Sequence, residues 1–252
     1  LPLEALIFDV DGTLAETEEL HRQAFNNTFE QFGLAWRWDR ELYMELLQTT
    51  GGRERIVRYI EDRQPQRGDL LARAGDLHAA KSTAYLSLLA HGAPVLRPGV
   101  ARLIRAARAA GVKLAIATTT TPDNVTALLV STLGEESPGW FAIAAGNMAA
   151  KKKPDPGIYE VALEMLAVSP SRAVAFEDSV NGIAAARAAG LRVVASPSLF
   201  LGHEDLSAAD AVVSDLGEPD APLQPIAGHS FANGMVDLDG LRALVAEAKH
   251  ET

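Results

Sequence analysis

Two aspartates two residues apart, Asp9 and Asp11, follow the apolar run Leu6-Ile7-Phe8 and lead into the turn Gly12-Thr13. Side chains at i and i+2 of an extended segment point the same way, so both carboxylates face one site. Like charges placed so are tolerated mainly beside a cation or a shared proton. Standing alone, the pair reads equally well as a solvated surface turn. Three further segments, in chain order, change that. Thr118 follows Ile116-Ala117, Lys151-Lys152-Lys153-Pro154-Asp155-Pro156 enters a helical pattern, and Glu177-Asp178-Ser179 closes a run ending in Phe176. This set is acidic, hydroxylic and cationic, and it suits phosphoryl transfer. A phosphate dianion repels an anionic nucleophile, so the site needs a metal and a cationic side chain. Carboxylates with a backbone carbonyl suit a hard cation such as Mg2+. One carboxylate can attack phosphorus to give an acyl phosphate, and a second can move the protons. A threonine hydroxyl and a lysine ammonium can hold the equatorial oxygens.

The elements that must position these groups change in kind along the chain. Residues 16–32 place Leu20, Ala24, Phe25, Thr28, Phe29 and Phe32 at helical spacing, and Gly33 suits a stop. Further helices are expected at 40–48, 53–62 and 68–90, with no strand pattern between 15 and 90. Ala93-Pro94-Val95-Leu96-Arg97-Pro98-Gly99 reads as a linker. Beyond it helices and short apolar strands alternate: helix 100–110, strand 112–117, a helix after Thr121-Pro122, helix 156–168, strand 173–176, helix 180–189 and strand 191–194. Such alternation predicts an α/β fold, a doubly wound parallel sheet with helices on both faces. The run of helices after the first strand reads as an inserted helical unit. The expected division is residues 1–15 and 92–252 for the sheet domain and 16–91 for the helical cap. Residues 217–233 read as loop, and Leu238–Ala248 as a last amphipathic helix. If the strands are parallel, the four segments meet at the carboxyl edge, where open α/β sheets bind ligands.

Composition narrows the partners. The chain has 252 residues, 48% of them hydrophobic, a formal net charge of −10 and no cysteine. Disulfides, thiolate metal sites and a cysteine nucleophile are thereby excluded. The negative charge disfavours nucleic acid and anionic membranes, so an anionic substrate must be met by a local cationic cluster. No apolar run approaches the roughly 18 residues that span a bilayer. A small-molecule substrate, a monomer and a cytoplasmic setting are expected, or the plastid stroma if a leader has been removed.

The four ordered segments are similar to those of the haloacid dehalogenase-like phosphohydrolase superfamily. That resemblance implies a Rossmann-like core with an inserted helical cap. It implies Asp9 as nucleophile, Asp11 as general acid and base, and Thr118 and Lys153 as phosphoryl-binding groups. Asp178 and Glu177 would complete a magnesium site with the Asp9 carboxylate and the Asp11 carbonyl. Over residues 3–215 the strings DVDGTLAETEELHRQAFNNTF, LLQTTGGRERI, AGNMAAKKKPDPGIY and FEDSVNGIAAARAAG resemble CbbY-type phosphatases. Those enzymes hydrolyse xylulose 1,5-bisphosphate, a misfire product of carbon fixation that inhibits ribulose-bisphosphate carboxylase. The likeness implies sugar contacts from Glu16, His21, Thr50, Gly51, Gly52, Arg53 and Glu54, with His78 a further candidate and Arg53 gripping a second anionic end.

Each assignment has a plainer competitor. Glu177 and Asp178 could cap the helix near Ser179, and Lys151 and Lys152 read as surface charge beside Lys153. Thr121 suits an N-cap, while Thr119 and Thr120 could donate to substrate. Glu16 and His21 could be helix-start polar residues, His78 and Lys81 a solvated helix face, Arg53 part of a turn, and Trp36 and Trp38 core. A β-phosphoglucomutase-like mutase shares the expected core and cap. A receiver-type phospho-switch shares the residue types but is shorter and lacks the helical insert.

Overall fold

In the computed structural model, residues 2–92 and 94–247 are described. Ala93 of the expected linker and Ala248 of the expected last helix lie outside them. The strands are β1 (Ala5–Phe8), β2 (Lys113–Ala117), β3 (Phe141–Ala144), β4 (Ala173–Glu177), β5 (Arg192–Ala195), β6 (Ala211–Val213) and β7 (Pro225–Gly228), in one sheet ordered β3-β2-β1-β4-β5-β6-β7. The first six run parallel, and β7 pairs antiparallel with β6. The expected all-parallel sheet is therefore mixed at one edge. The segment expected to be loop contains β7, whose exposed Pro-Ile-Ala-Gly has no alternation to reveal it. β3 and β6 also went unpredicted, being four and three residues long.

Alternation along the buried strands fixes the layers. Leu6, Phe8, Leu114, Ile116, Val174 and Phe176 face one side and pack against helices α5 (Val100–Ala109), α6 (Pro122–Leu133) and α9 (Leu238–Glu247). Phe8 and Phe176 stack across neighbouring strands with centroids 4.5 Å apart. On the other side Ala5, Ala115, Ala117, Ala173 and Ala175 are small, and helices α7 (Gly157–Leu166) and α8 (Val180–Ala188) pack against them. Small residues let those two helices lie close to the strand ends that carry chemistry.

Between β1 and α5 stand four helices: α1 (Glu18–Gln31), α2 (Arg40–Leu46), α3 (Gly52–Arg63) and α4 (Ala74–His91), the last preceded by a 3-10 segment over Pro65–Arg73. Among the described residues 15–90 no strand occurs. Phe25, Phe29, Trp38, Tyr43, Ile56, Tyr59 and Leu77 form a hydrophobic cluster of their own. Trp38 is fully buried there, as its core reading expected. Phe200 and Leu201 join this cluster from the loop after β5, so a sheet-side segment is planted in the helical block. The two chain passages between block and sheet touch through an Ala15–Leu96 bridge. No helix among the described residues is long and apolar enough to cross a membrane.

Candidate active site

Because β1 lies between β2 and β4, the chain reverses its direction of winding beside it, and the crevice at the carboxyl edge opens there. Asp9 leaves β1 with its N–H donating to the Phe176 carbonyl at 3.0 Å. The chain then turns tightly: Gly12 takes φ +78°, and its N–H donates to the Ala15 carbonyl at 2.9 Å. A Cβ at Gly12 would stand 2.0 Å from Asp178 Oδ2. Only glycine therefore serves here, for conformation and for space.

The groups named from sequence converge from distant segments. The Lys153 ammonium donates to Asp9 Oδ1 and to Glu177 Oε1, each at 2.6 Å. Carboxylate oxygens of Asp9, Glu177 and Asp178 lie within 4.8 Å of one another, and all three residues are buried. Asp178 Oδ2 is buried without a hydrogen-bond partner. Burial pushes Asp9 up to about 8, Glu177 and Asp11 adding to the rise while Lys153 opposes it. Burial also pushes Asp178 well up, with Asp9 and Glu177 contributing. Lys153, although buried, is held above the ordinary lysine range by the same two carboxylates. One ammonium thus faces three crowded acids, one of them with an orphaned oxygen. These oxygen-only donors fit a hard divalent cation.

Asp11 turns away from that cluster toward the helical block. Its Oδ1 accepts from Thr17 Oγ1 at 2.5 Å and pairs with His21 Nε2 at 2.9 Å. The Thr120 hydroxyl donates to Oδ2. Burial by itself raises Asp11, but His21 and the two hydroxyls outweigh it and hold the carboxyl well below its usual range.

The cleft between block and sheet is lined by Asp9, Asp11, His21, Thr50, Gly51, Gly52, His78, Thr118, Thr119, Thr120, Lys153 and Asp178. Glu177 sits behind Lys153, only 1% exposed. Two groups fall elsewhere. Glu16, expected against the sugar, turns out of the cleft: its carboxylate accepts from the Leu199 N–H at 3.1 Å and lies 3.6 Å from Arg97 Nε. Arg53 and Glu54 line an adjoining cavity with His78, Thr119 and Lys152, because α3 aims successive side chains about 100° apart. Thr121 has the extended backbone of an N-cap, yet its hydroxyl makes no capping bond and is buried unpartnered at the cleft wall.

Sequence reasoning passed over several polar groups. Lys81 is buried, not solvated: its ammonium lies 2.6 Å from His21 Nδ1. Burial lowers it to about 8. The signal was its place between Leu77 and Tyr85 on the buried stripe of α4. Arg55, rather than Arg53, lines the main cleft, donating to the Tyr43 hydroxyl at 3.0 Å, which itself donates to Glu18 Oε2 at 2.7 Å.

Comparisons with known proteins agree with this architecture. The chain is 51% identical over 218 residues to Protein CbbY of Cereibacter sphaeroides, covering 86% of this chain and 94% of that one. Among solved structures, a CbbY point variant from Rhodobacter sphaeroides in complex with xylulose-(1,5)bisphosphate is 48% identical. It superposes with a TM-score of 0.80 over 86% of this chain and 96% of its own. A β-phosphoglucomutase from Clostridium difficile, 20% identical, shares the fold with a TM-score of 0.74 over 98% of this chain and 99% of its own. A family model described as haloacid dehalogenase-like hydrolase matches residues 3–190, from before β1 to the end of α8. That stretch holds every segment that converges on Lys153, and the chain belongs to the haloacid dehalogenase-like hydrolase family.

Proposed function

We propose that this enzyme is a magnesium-dependent phosphatase of a small sugar phosphate, xylulose 1,5-bisphosphate, releasing xylulose 5-phosphate. The observation that carries the substrate is the likeness, at 48% identity over 86% of this chain and 96% of the other, to a CbbY structure holding that bisphosphate. The helical block serves as a cap over the sheet edge.

The chemistry follows from the site. Lys153 occupies Asp9 Oδ1. The other Asp9 oxygen attacks phosphorus, the bond from phosphorus to the sugar oxygen breaks, and Asp9 carries an acyl phosphate. Asp11 gives its proton to the departing sugar oxygen. It then takes one from the water whose oxygen attacks the phosphoenzyme, so that inorganic phosphate leaves and Asp9 is restored. In the substrate-free geometry Asp11 is held as an anion by His21, Thr17 and Thr120, which suits the second step. For the first step the phosphoryl anion must raise it, by like-charge repulsion. Thr118 and Lys153 hold phosphoryl oxygens, and Thr119 and Thr120 stand beside them. Asp9, Asp178 and Glu177 would hold Mg2+, with the Asp11 carbonyl. When bound, the ion supplies positive charge that offsets repulsion between the Asp9 carboxylate and the phosphate dianion.

Two arginines flank the cleft. Arg55 lines it directly and Arg53 the adjoining cavity, so a second phosphate has a cation within either wall. The test is phosphate release with Mg2+ across pentulose and hexose monophosphates and bisphosphates. Strong preference for xylulose 1,5-bisphosphate supports the reading. Equal rates across the panel overturn the narrow substrate, and isomerised sugar phosphate without phosphate release would make the enzyme a mutase.

A further inference from the structure

Tyr159 stands on α7, fully buried against the alanine face of the sheet; it ends the string AGNMAAKKKPDPGIY but is not among the residues assigned a role from sequence. Its hydroxyl donates to Glu177 Oε1 at 2.5 Å. The same oxygen accepts from the Lys153 ammonium at 2.6 Å, and that ammonium lies 5.0 Å from the Tyr159 ring centroid. A buried tyrosine hydroxyl needs an acceptor, and in a packing role a backbone carbonyl serves. Here the acceptor is one of the three clustered carboxylates.

The surroundings of Glu177 show what that bond fixes. On its other side the carboxylate lies against the start of α8. Oε2 is 3.3 Å from the Asp178 N–H nitrogen and 3.5 Å from Ser179 Oγ, both long contacts. A Cβ at Gly182 would stand 1.9 Å from Oε2 and 2.2 Å from Oε1. The carboxylate therefore occupies a slot opened by a missing side chain, and among the described residues its short bonds come from Lys153 and Tyr159. Lys153 also serves Asp9. Without the phenol, Glu177 would depend on Lys153 alone, and the ammonium would be drawn toward it and away from the nucleophile.

We propose that Tyr159 is a positioning residue for the divalent cation, setting the orientation of Glu177 and leaving Lys153 free to hold Asp9. This rests on the reading of the cluster as the Mg2+ site. Partners of this kind, one bond removed from a metal, commonly change affinity about 10-fold or more when lost.

The test is Mg2+ binding to the whole, substrate-free protein by titration calorimetry, for wild type and Tyr159→Phe. The dissociation constant is expected to rise about 10-fold. In phosphate-release assays the Mg2+ concentration for half activation should rise by a larger factor than kcat falls. Glu177→Gln supplies the second arm: adding Tyr159→Phe to it should cost little further affinity, since the two act through one carboxylate. Unchanged Mg2+ affinity in Tyr159→Phe, with only a lower melting temperature, overturns the inference while leaving the phosphatase reading intact. Full additivity of the two substitutions overturns it as well. A wild-type protein that binds no Mg2+ overturns both.

Discussion

The Lys153 ammonium lies 2.6 Å from Asp9 Oδ1, across 144 positions of sequence. This ion pair is buried on both sides, and a second one of equal length runs from the same nitrogen to Glu177. One buried ammonium serves two carboxylates with a third beside them, so with all three ionised the cluster would carry more negative charge than the lysine offsets. The site is therefore built around a deficit that a divalent cation would offset.

Removing the lysine should expose that deficit. Lys153→Met is expected to reduce phosphate release to background and to destabilise the metal-free fold by about 3 kcal/mol, the usual scale for stranding a buried partner charge. Mg2+ should recover part of the stability, because the cation re-pairs the carboxylates. Urea denaturation with and without Mg2+ reads this, and equal losses in both conditions would contradict it.

Replacing the nucleophile should separate activity from stability. Asp9→Asn removes the attacking oxygen, so turnover is expected to vanish. It also removes one of the crowded acids that push each other up. The metal-free variant should therefore melt no lower than wild type. Steady-state phosphate release and thermal denaturation check the two halves.

His78 sets a pH dependence of stability. Burial first, then Lys81, Lys152, His21 and Arg53, lower it from 6.5 to about 4. Above pH 6.5 it is neutral in folded and unfolded chains alike and contributes no slope. As pH falls from 6.5 to 4 the unfolded chain takes up the proton first, so stability declines across that window and levels off below it. His78→Gln should flatten that limb in pH-dependent denaturation. Imidazole NMR should show neutral His78 at pH 6, moving toward protonation when phosphate binds.

Gly182 offers a test of crowding. It lies inside α8, where alanine would ordinarily be favoured by about 0.5–1 kcal/mol. A Cβ there would instead meet the Glu177 carboxylate. Gly182→Ala is expected to destabilise by about 1–3 kcal/mol, as overpacking does, and to raise the Mg2+ concentration for half activation. A stabilised variant with unchanged Mg2+ dependence would contradict the slot.

Phe200 ties the two halves of the molecule together. It comes from the sheet side, packs edge-on to Tyr43 at 5.8 Å, and has the Arg40 guanidinium 4.6 Å over its ring. Phe200→Ala should cost about 3 kcal/mol and loosen the cap. Limited proteolysis within residues 197–204 and a raised KM for the sugar phosphate should accompany the loss.

Chemistry was legible in the sequence wherever residue type and order sufficed. Asp9, Asp11, Thr118, Lys153 and Asp178 follow strands or a loop whose pattern is strong, and parallel strands bring their carboxyl ends to one edge whatever the helices between them do. The helical block was legible for the same reason: apolar residues at helical spacing declare a helix locally. Direction and burial of single side chains were decided by packing alone. Arg53 and Arg55 differ by two positions on one helix, and only the docking of α3 sends Arg55 into the cleft. Glu16 was drawn to the Leu199 N–H and Arg97 by a loop far along the chain. Lys81 could be placed beside His21 only once α1 and α4 had packed. Tyr159 looks like core from its own helix, and the carboxylate that gives its hydroxyl a purpose arrives from β4. Sequence specifies local periodicity and the order of strand ends; which polar atoms meet is a long-range outcome of how the layers settle against one another.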